Sequence, residues 1–189
     1  MKIAIIGTAG RSKAPQHRMT RKLYGSMLDA AWQMMLKNCE DWSDVTLQSG
    51  GAAWADHVAV SAYKLALVCG KPFKGLNLYL PAPFDGDKYA ATKAGGISNY
   101  YHRLFTQAVG TDTLVGLADV MQLPGVMVDV GVGFHQRNLE VGKADVLLAF
   151  TWGEGSGPAD GGTKHCWKNS HAPTKVHFKL SELNGQSDE

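Results

Sequence analysis

The residues of this 189-residue chain that can do chemistry gather in turns. The longest such turn lies within TWGEGSGPADGGTKHCW, residues 151 to 167, which follows the apolar run ending at Phe150. Five glycines and a proline separate that run from Lys164. Ordering so glycine-rich a segment costs conformational entropy, so a bound ligand is a better reason for it than packing. Its backbone N–H groups at Gly153, Gly161 and Gly162, with the hydroxyls of Ser156 and Thr163, suit a phosphate. Trp152 either stacks on a base or covers the end of the core. Two shorter glycine turns stand earlier: GTAGR, made of Gly7, Thr8, Ala9, Gly10 and Arg11, and the turn of Ser49, Gly50 and Gly51.

Charge points the same way. Residues 1 to 28 hold no Asp or Glu, yet Arg11, Lys13, Arg18, Arg21 and Lys22 cluster between the first turn and the start of the next helical pattern. Cations beside a helix N-terminus oppose its dipole, and a bound anion would explain their placement. Arg11 directly follows the turn, where a guanidinium can fork onto a phosphate.

These turns need elements to hold them. Ile3 to Ile6, residues 44 to 49, residues 75 to 80, Asp145 to Phe150 and residues 174 to 180 read as strands. Helical spacing marks residues 20 to 39, with Leu23, Met27, Ala31, Met34 and Met35, and the stretch behind Gly51. Two more helices are expected at SNYYHRLFTQAVG and TDTLVGLADVMQL, each opened by a Ser or Thr able to cap, and shorter ones at FHQRNLEVGKA and from Gly161. Strands alternating with helices give a single α/β domain, Rossmann-like and three-layered, with a mostly parallel sheet covered by helices on both faces. It is expected to span residues 1–184, with 185–189 a disordered tail. Residues 84 to 97 have no period and read as a lid or an ordered excursion. In such a sheet, ligands bind beyond the carboxyl ends of the strands, where all three glycine turns fall.

Four stretches, IIGTAGR, LQSGGAAWADHVA, FHQRNLEVGKADVLLAF and DGGTKHCW, resemble the SLOG superfamily, which includes DprA proteins, lonely-guy phosphoribohydrolases and nucleotide-sensing domains. The resemblance runs from Lys2 to about Trp167. It implies a nucleotide or nucleotide-derived ligand, and it carries over Ser49, Gly50, Gly51 and Asp56 from the Ser-Gly-Gly turn and the Asp behind it. FHQRN is similar to the lonely-guy HxRK stretch, which puts Arg137 in the place of a catalytic arginine, with Asn138 beside it. The lonely-guy loop PGGxGTxxE ends in a glutamate that acts on an N-glycosidic bond; here Cys166 stands in its place. A neutral thiol is a poor substitute for a carboxylate facing oxocarbenium-like charge. Glu154 is the better replacement. Glu140 is expected to pair with a cation on its own helix.

Composition sets the outer bounds. An apolar fraction of 44%, a charged fraction of 19% and a formal charge of +2 describe an ordinary globular chain with no general polyanion-binding surface. Lys64, Lys71 and Lys74 are scattered, and no nucleic-acid groove is read. Arg103, after Tyr100, Tyr101 and His102, either reaches a phosphate or lies on a surface helix face. Cys39, Cys69 and Cys166 form no metal-type or redox-type spacing, and a reducing cytoplasm fits. No run approaches the roughly 18 apolar residues of a membrane span. Adjacent His165 and Cys166 diverge on a helix, so no metal site is read near His171, and no cofactor is expected. The leading expectation is a cytoplasmic protein binding a nucleotide-like phosphorylated small molecule. The alternative is an N-glycosidase or deoxyribosyltransferase using Arg137 with Glu154 or Asp160. The resemblance to the SLOG superfamily, many of whose members pair through helices beside the sheet, implies a homodimer or larger assembly. The helix at residues 20 to 39, where Trp32, Met34, Met35 and Leu36 crowd together, has more apolar surface than one face needs, most of it for the core.

Overall fold

The computed structural model describes residues 1–185. Six strands form one sheet: β1 (Lys2–Gly7), β2 (Thr46–Ser49), β3 (Gly75–Leu80), β4 (Val126–Val130), β5 (Val146–Thr151) and β6 (Thr174–Lys179). Every pairing is parallel, in the order β4-β3-β2-β1-β5-β6. The helices are α1 (Arg21–Asn38), α2 (His57–Val68), α3 (Lys93–Val109), α4 (Thr113–Met121), α5 (Gly133–Val141), α6 (Gly161–Asn169) and α7 (Leu180–Gly185). The expected single Rossmann-like three-layer domain is the fold observed. Among the described residues no helix is long and apolar enough to cross a membrane.

Alternation along β1 builds both layers, because successive side chains leave opposite faces of a strand. Ile3 and Ile5 enter a large core with Leu23, Met27 and Met35 of α1, Val58 of α2, Leu117 of α4 and Leu180 of α7. Ala4 and Ile6 enter a smaller core with Val141 of α5 and Cys166 of α6. The side chain of Thr20 accepts from Leu23 N at 3.1 Å and starts α1, whose buried residues recur every four positions. A third cluster joins Phe105 and Val109 of α3 to Ala53 and Trp54, the latter held at a φ of +66° behind β2.

Several boundaries correct the sequence reading. The strand β4 was not expected, and α3 begins five residues before Ser98, with the side chain of Thr92 accepting from Gly95 N. Asp112, rather than the expected Thr111, caps α4. Residues 84 to 92 form an ordered excursion: Phe84 bridges Tyr89, and the Asn99 side chain bonds both backbone groups of Tyr89. Of the expected tail, Gly185 ends α7, and residues 186 to 189 lie outside the described residues. Much of the apolar surface of α1 is used within the chain, while Leu36 stays exposed. Trp32 packs edge-on against Trp42, and Leu28 and Met34 pack on the large core.

Candidate functional site

The chain runs outward through β1, β2, β3 and β4, then returns so that β5 lies against the other side of β1. Beyond the carboxyl ends of these two strands the loops must part in opposite directions, which leaves a crevice. A cleft of about 790 Å³ occupies that place. Its lining includes Gly7, Thr8, Ala9 and Arg11 after β1, Asp56 before α2, and Arg137 and Asn138 of α5. Trp152 and Gly153 after β5 and Gly161, Gly162 and Thr163 of α6 complete the predicted residues that line it.

Backbone proximity sets this floor. A Cβ on Gly7 would stand 2.2 Å from the Phe150 carbonyl oxygen and 2.5 Å from the Ala55 Cβ, so only glycine ends β1 this close to β5 and the α2 loop. Thr163 Oγ1 donates to Gly7 O at 2.8 Å, and Asn138 Nδ2 donates to Gly162 O at 3.2 Å. These bonds tie α6 to β1 and to α5. At the start of α6, Asp160 occupies the cap position with no side-chain cap bond, so its carboxylate leaves the first-turn N–H groups without a side-chain acceptor. That end of the helix faces the cleft with its positive dipole.

The centre of charge is Arg137. Only 8% exposed, it donates from Nη1 to Asp56 Oδ2 at 2.7 Å. Its guanidinium lies across Gly50, where a Cβ would stand 1.9 Å from Nη1. Burial pushes the Asp56 carboxyl above its usual range, while Arg137 and the backbone N–H groups of Ala52 and Gly7 draw it back. Arg137 Nε remains buried without a partner, as do His165 Nδ1 and Trp152 Nε1. Three unmet polar atoms on residues of one cleft are unusual, since buried polar groups are nearly always bonded. Arg11 stands over the rings of Tyr101 and Phe134 at 5.4 and 5.5 Å, a cation–π seat that holds it at the rim.

Other predicted residues are elsewhere. Ser49, Gly50 and Gly51 lie behind Arg137 and do not line the cleft. Ser49 Oγ donates to Asp56 O and accepts from Gly51 N, and Gly51 O accepts from Tyr89 and His102. Their role is to shape the support of Asp56. Gly10 and Ser156 are outside the lining, and Arg103 lies over the Tyr100 ring on α3. Glu154 is exposed, stands outside the lining, and accepts from Ser181 Oγ of α7 at 2.7 Å. Glu140 pairs with Lys143 as expected. Burial pushes the Cys166 thiol up to about 12, so it enters the cleft uncharged.

Sequence reasoning missed His17, Ser12, Phe134 and His135, which also line the cleft. Phe134 and His135 stand beside Arg137 in the FHQRN stretch but were not singled out, and Ser12 and His17 lie in a segment with no period, where only the neighbouring glycine turn hints at a role. His135 and His165 meet edge-on at 4.8 Å. Among the described residues no group of three or more His, Cys, Asp or Glu could hold a metal ion.

No family model and no solved structure matches the chain. The "Uncharacterized protein R261" of Acanthamoeba polyphaga mimivirus is 32% identical over 183 residues, which span 96% of this chain and 97% of that protein.

Proposed function

We propose that this chain, which belongs to the same family as the mimivirus protein R261, binds a phosphorylated small molecule, a nucleotide or nucleotide derivative, in the cleft between β1 and β5. The observation that carries the reading is Arg137, buried and paired on one nitrogen while its Nε has no partner. It lines the same cleft as the first-turn N–H groups of α6, which no side chain caps. Fixed N–H donors and a guanidinium converging on one space suit an anion. The likeness of the glycine turns to the SLOG superfamily supports the same ligand class. A thermal-shift panel tests it: nucleoside phosphates are expected to raise the melting temperature, and the matching nucleosides much less. No shift from any phosphorylated compound would remove the reading.

A second reading is favoured by Asp160, whose carboxylate lines the cleft free of any capping bond. With Glu154 turned toward α7, Asp160 is the carboxylate left for an N-glycosidase or deoxyribosyltransferase. Release of free base and sugar phosphate from a nucleoside monophosphate by wild type, and not by Asp160→Asn, would support it. Equal release by both would exclude Asp160.

We further propose a reducing, cytoplasmic location, supported by three free cysteines. A homo-oligomer, if formed, has exposed apolar side chains to use at Leu36 of α1 as well as at the β4 edge. Met127 is 69% exposed there and Val132, just beyond, 89%. A DNA-binding role has less support, because the formal charge is only +2.

A further inference from the structure

The cleft has a second feature besides its anion-facing end. The imidazole of His17 lies parallel to the indole of Trp152, with ring centroids 4.7 Å apart and planes 7° apart. Both rings line the cleft. His17 closes a single 3-10 turn, Pro15–His17, that has no buried residue and no side-chain cap. The hydrogen bonds of this segment are internal: Ser12 Oγ with His17 Nδ1 at 2.8 Å, Ala14 N to Ser12 Oγ at 3.3 Å, and His17 N to Ala14 O at 2.9 Å. Between Arg11, seated over Tyr101 and Phe134, and Met19, packed on the core, the stack on Trp152 is a ring contact that ties this segment to the end of β5.

Such a contact is weakly anchored on one side and firmly on the other. Trp152 follows β5 directly and packs against the large core, so its ring is fixed. Among the described residues, His17 can leave at the cost of the stack, since its hydrogen bonds are to Ser12 and Ala14 of its own segment. Trp152 Nε1 is buried with no acceptor, so the present arrangement leaves the indole's polar edge unmet.

We propose that the face of Trp152 covered by His17 is the seat for a planar aromatic ring of the ligand, and that His17 holds it until the ring displaces the Pro15–His17 turn. The proposal rests on the phosphorylated-ligand reading of the same cleft and narrows it: the ligand carries a nucleobase-like ring as well as a phosphate. Stacking suits this task because every base offers a π face, so the seat sets a preference for aromatic over purely sugar-phosphate ligands rather than for one base.

Titration calorimetry with inorganic phosphate, ribose 5-phosphate and AMP separates the two ideas. The anion site predicts that ribose 5-phosphate binds; the seat predicts that AMP binds more tightly, by about 5- to 150-fold once His17 is removed, the range for one base stacked on an aromatic ring, and by less in wild type, where the base must first displace His17. His17→Ala removes the competitor and is expected to tighten AMP while leaving ribose 5-phosphate unchanged. Trp152→Ala is expected to bring AMP down to the affinity of ribose 5-phosphate. Equal affinities for AMP and ribose 5-phosphate in both wild type and His17→Ala would overturn the seat and leave the anion site standing. Weaker or unchanged AMP binding in His17→Ala would overturn displacement by the ligand, and does so even if Trp152→Ala fails to fold. If no phosphorylated compound binds, both readings fall together.

Discussion

At the scale of single residues, Arg137 and Asp56 are the pair on which the cleft floor depends. Removing the cation leaves a buried carboxylate uncompensated, which costs far more than the net worth of the pair. Arg137→Met is expected to destabilise the protein by about 3 to 5 kcal/mol in urea unfolding, and Arg137→Met with Asp56→Asn by distinctly less. Gly50→Ala should resemble the first variant, because its methyl takes the place of the guanidinium. Arg11 should behave in the opposite way. It is exposed, and its contacts with Tyr101 and Phe134 are cation–π seats at the rim, so Arg11→Ala should change the melting temperature little. The same change should weaken a phosphorylated ligand by about 1.5 to 3 kcal/mol, with Arg11→Lys recovering only part. Calorimetry on the three proteins checks this; equal affinities would make the first glycine turn only a turn. Residue types showed where these groups stand, but not whom they meet. Arg137 and Asp56 were both legible as site residues from their motifs, yet the bond between them spans 81 positions. Glu154 misled for the same reason: a carboxylate in a glycine loop looks free until α7, 27 residues on, supplies Ser181.

At the scale of elements, α2, α3 and α4 meet over two buried histidines. His102 bonds Thr113 Oγ1 through Nδ1 at 3.0 Å and Gly51 O through Nε2 at 3.0 Å, and its ring centroid lies 5.8 Å from that of His57. Burial pulls His102 down to about 4 and His57 well below its ordinary value, with Lys64 and His102 adding to the second effect and Asp112 opposing the first. The folded chain therefore keeps both rings neutral, while the unfolded chain takes up protons near pH 6.5. Stability from this packing is fully present above about pH 6.5 and is lost as pH falls toward 4. His102 alone is worth on the order of 3 kcal/mol over that window. Urea midpoints at pH 7, 5.5 and 4.5 should fall steadily, and less steeply in His102→Asn; a flat profile would contradict the assignment. Helical period made α1 legible, because its buried residues Leu23, Met27, Ala31 and Met35 recur on one face. The edge strand β4 was not legible. Its residues after Val126 are exposed, so VMVDV has no buried face to impose a pattern. The early start of α3 was hidden because its first turn, KAGG, holds two glycines and no apolar stripe.

At the scale of the molecule, the return of the chain from β4 to β5 makes one crevice, and the glycine turns after β1 and β5 open into it. The alternation of strands and helices was enough to expect that crevice. The side on which the third turn would fall was not, because the β2 turn closes behind Arg137 instead of facing the cleft. If the β4 edge joins two copies, light scattering at high concentration should exceed the 20.4 kDa of one chain; a strict monomer would end that proposal. The central claim is that this crevice is an anion site for a phosphorylated ligand. Its most direct test is calorimetric titration of the wild-type chain with a nucleoside and its 5′-monophosphate, side by side, at low and moderate salt. The account predicts saturable heat from the monophosphate, weakening as salt rises, and at least about tenfold weaker binding of the nucleoside. Equal affinities for the two, or no heat from the monophosphate at either salt, would contradict it.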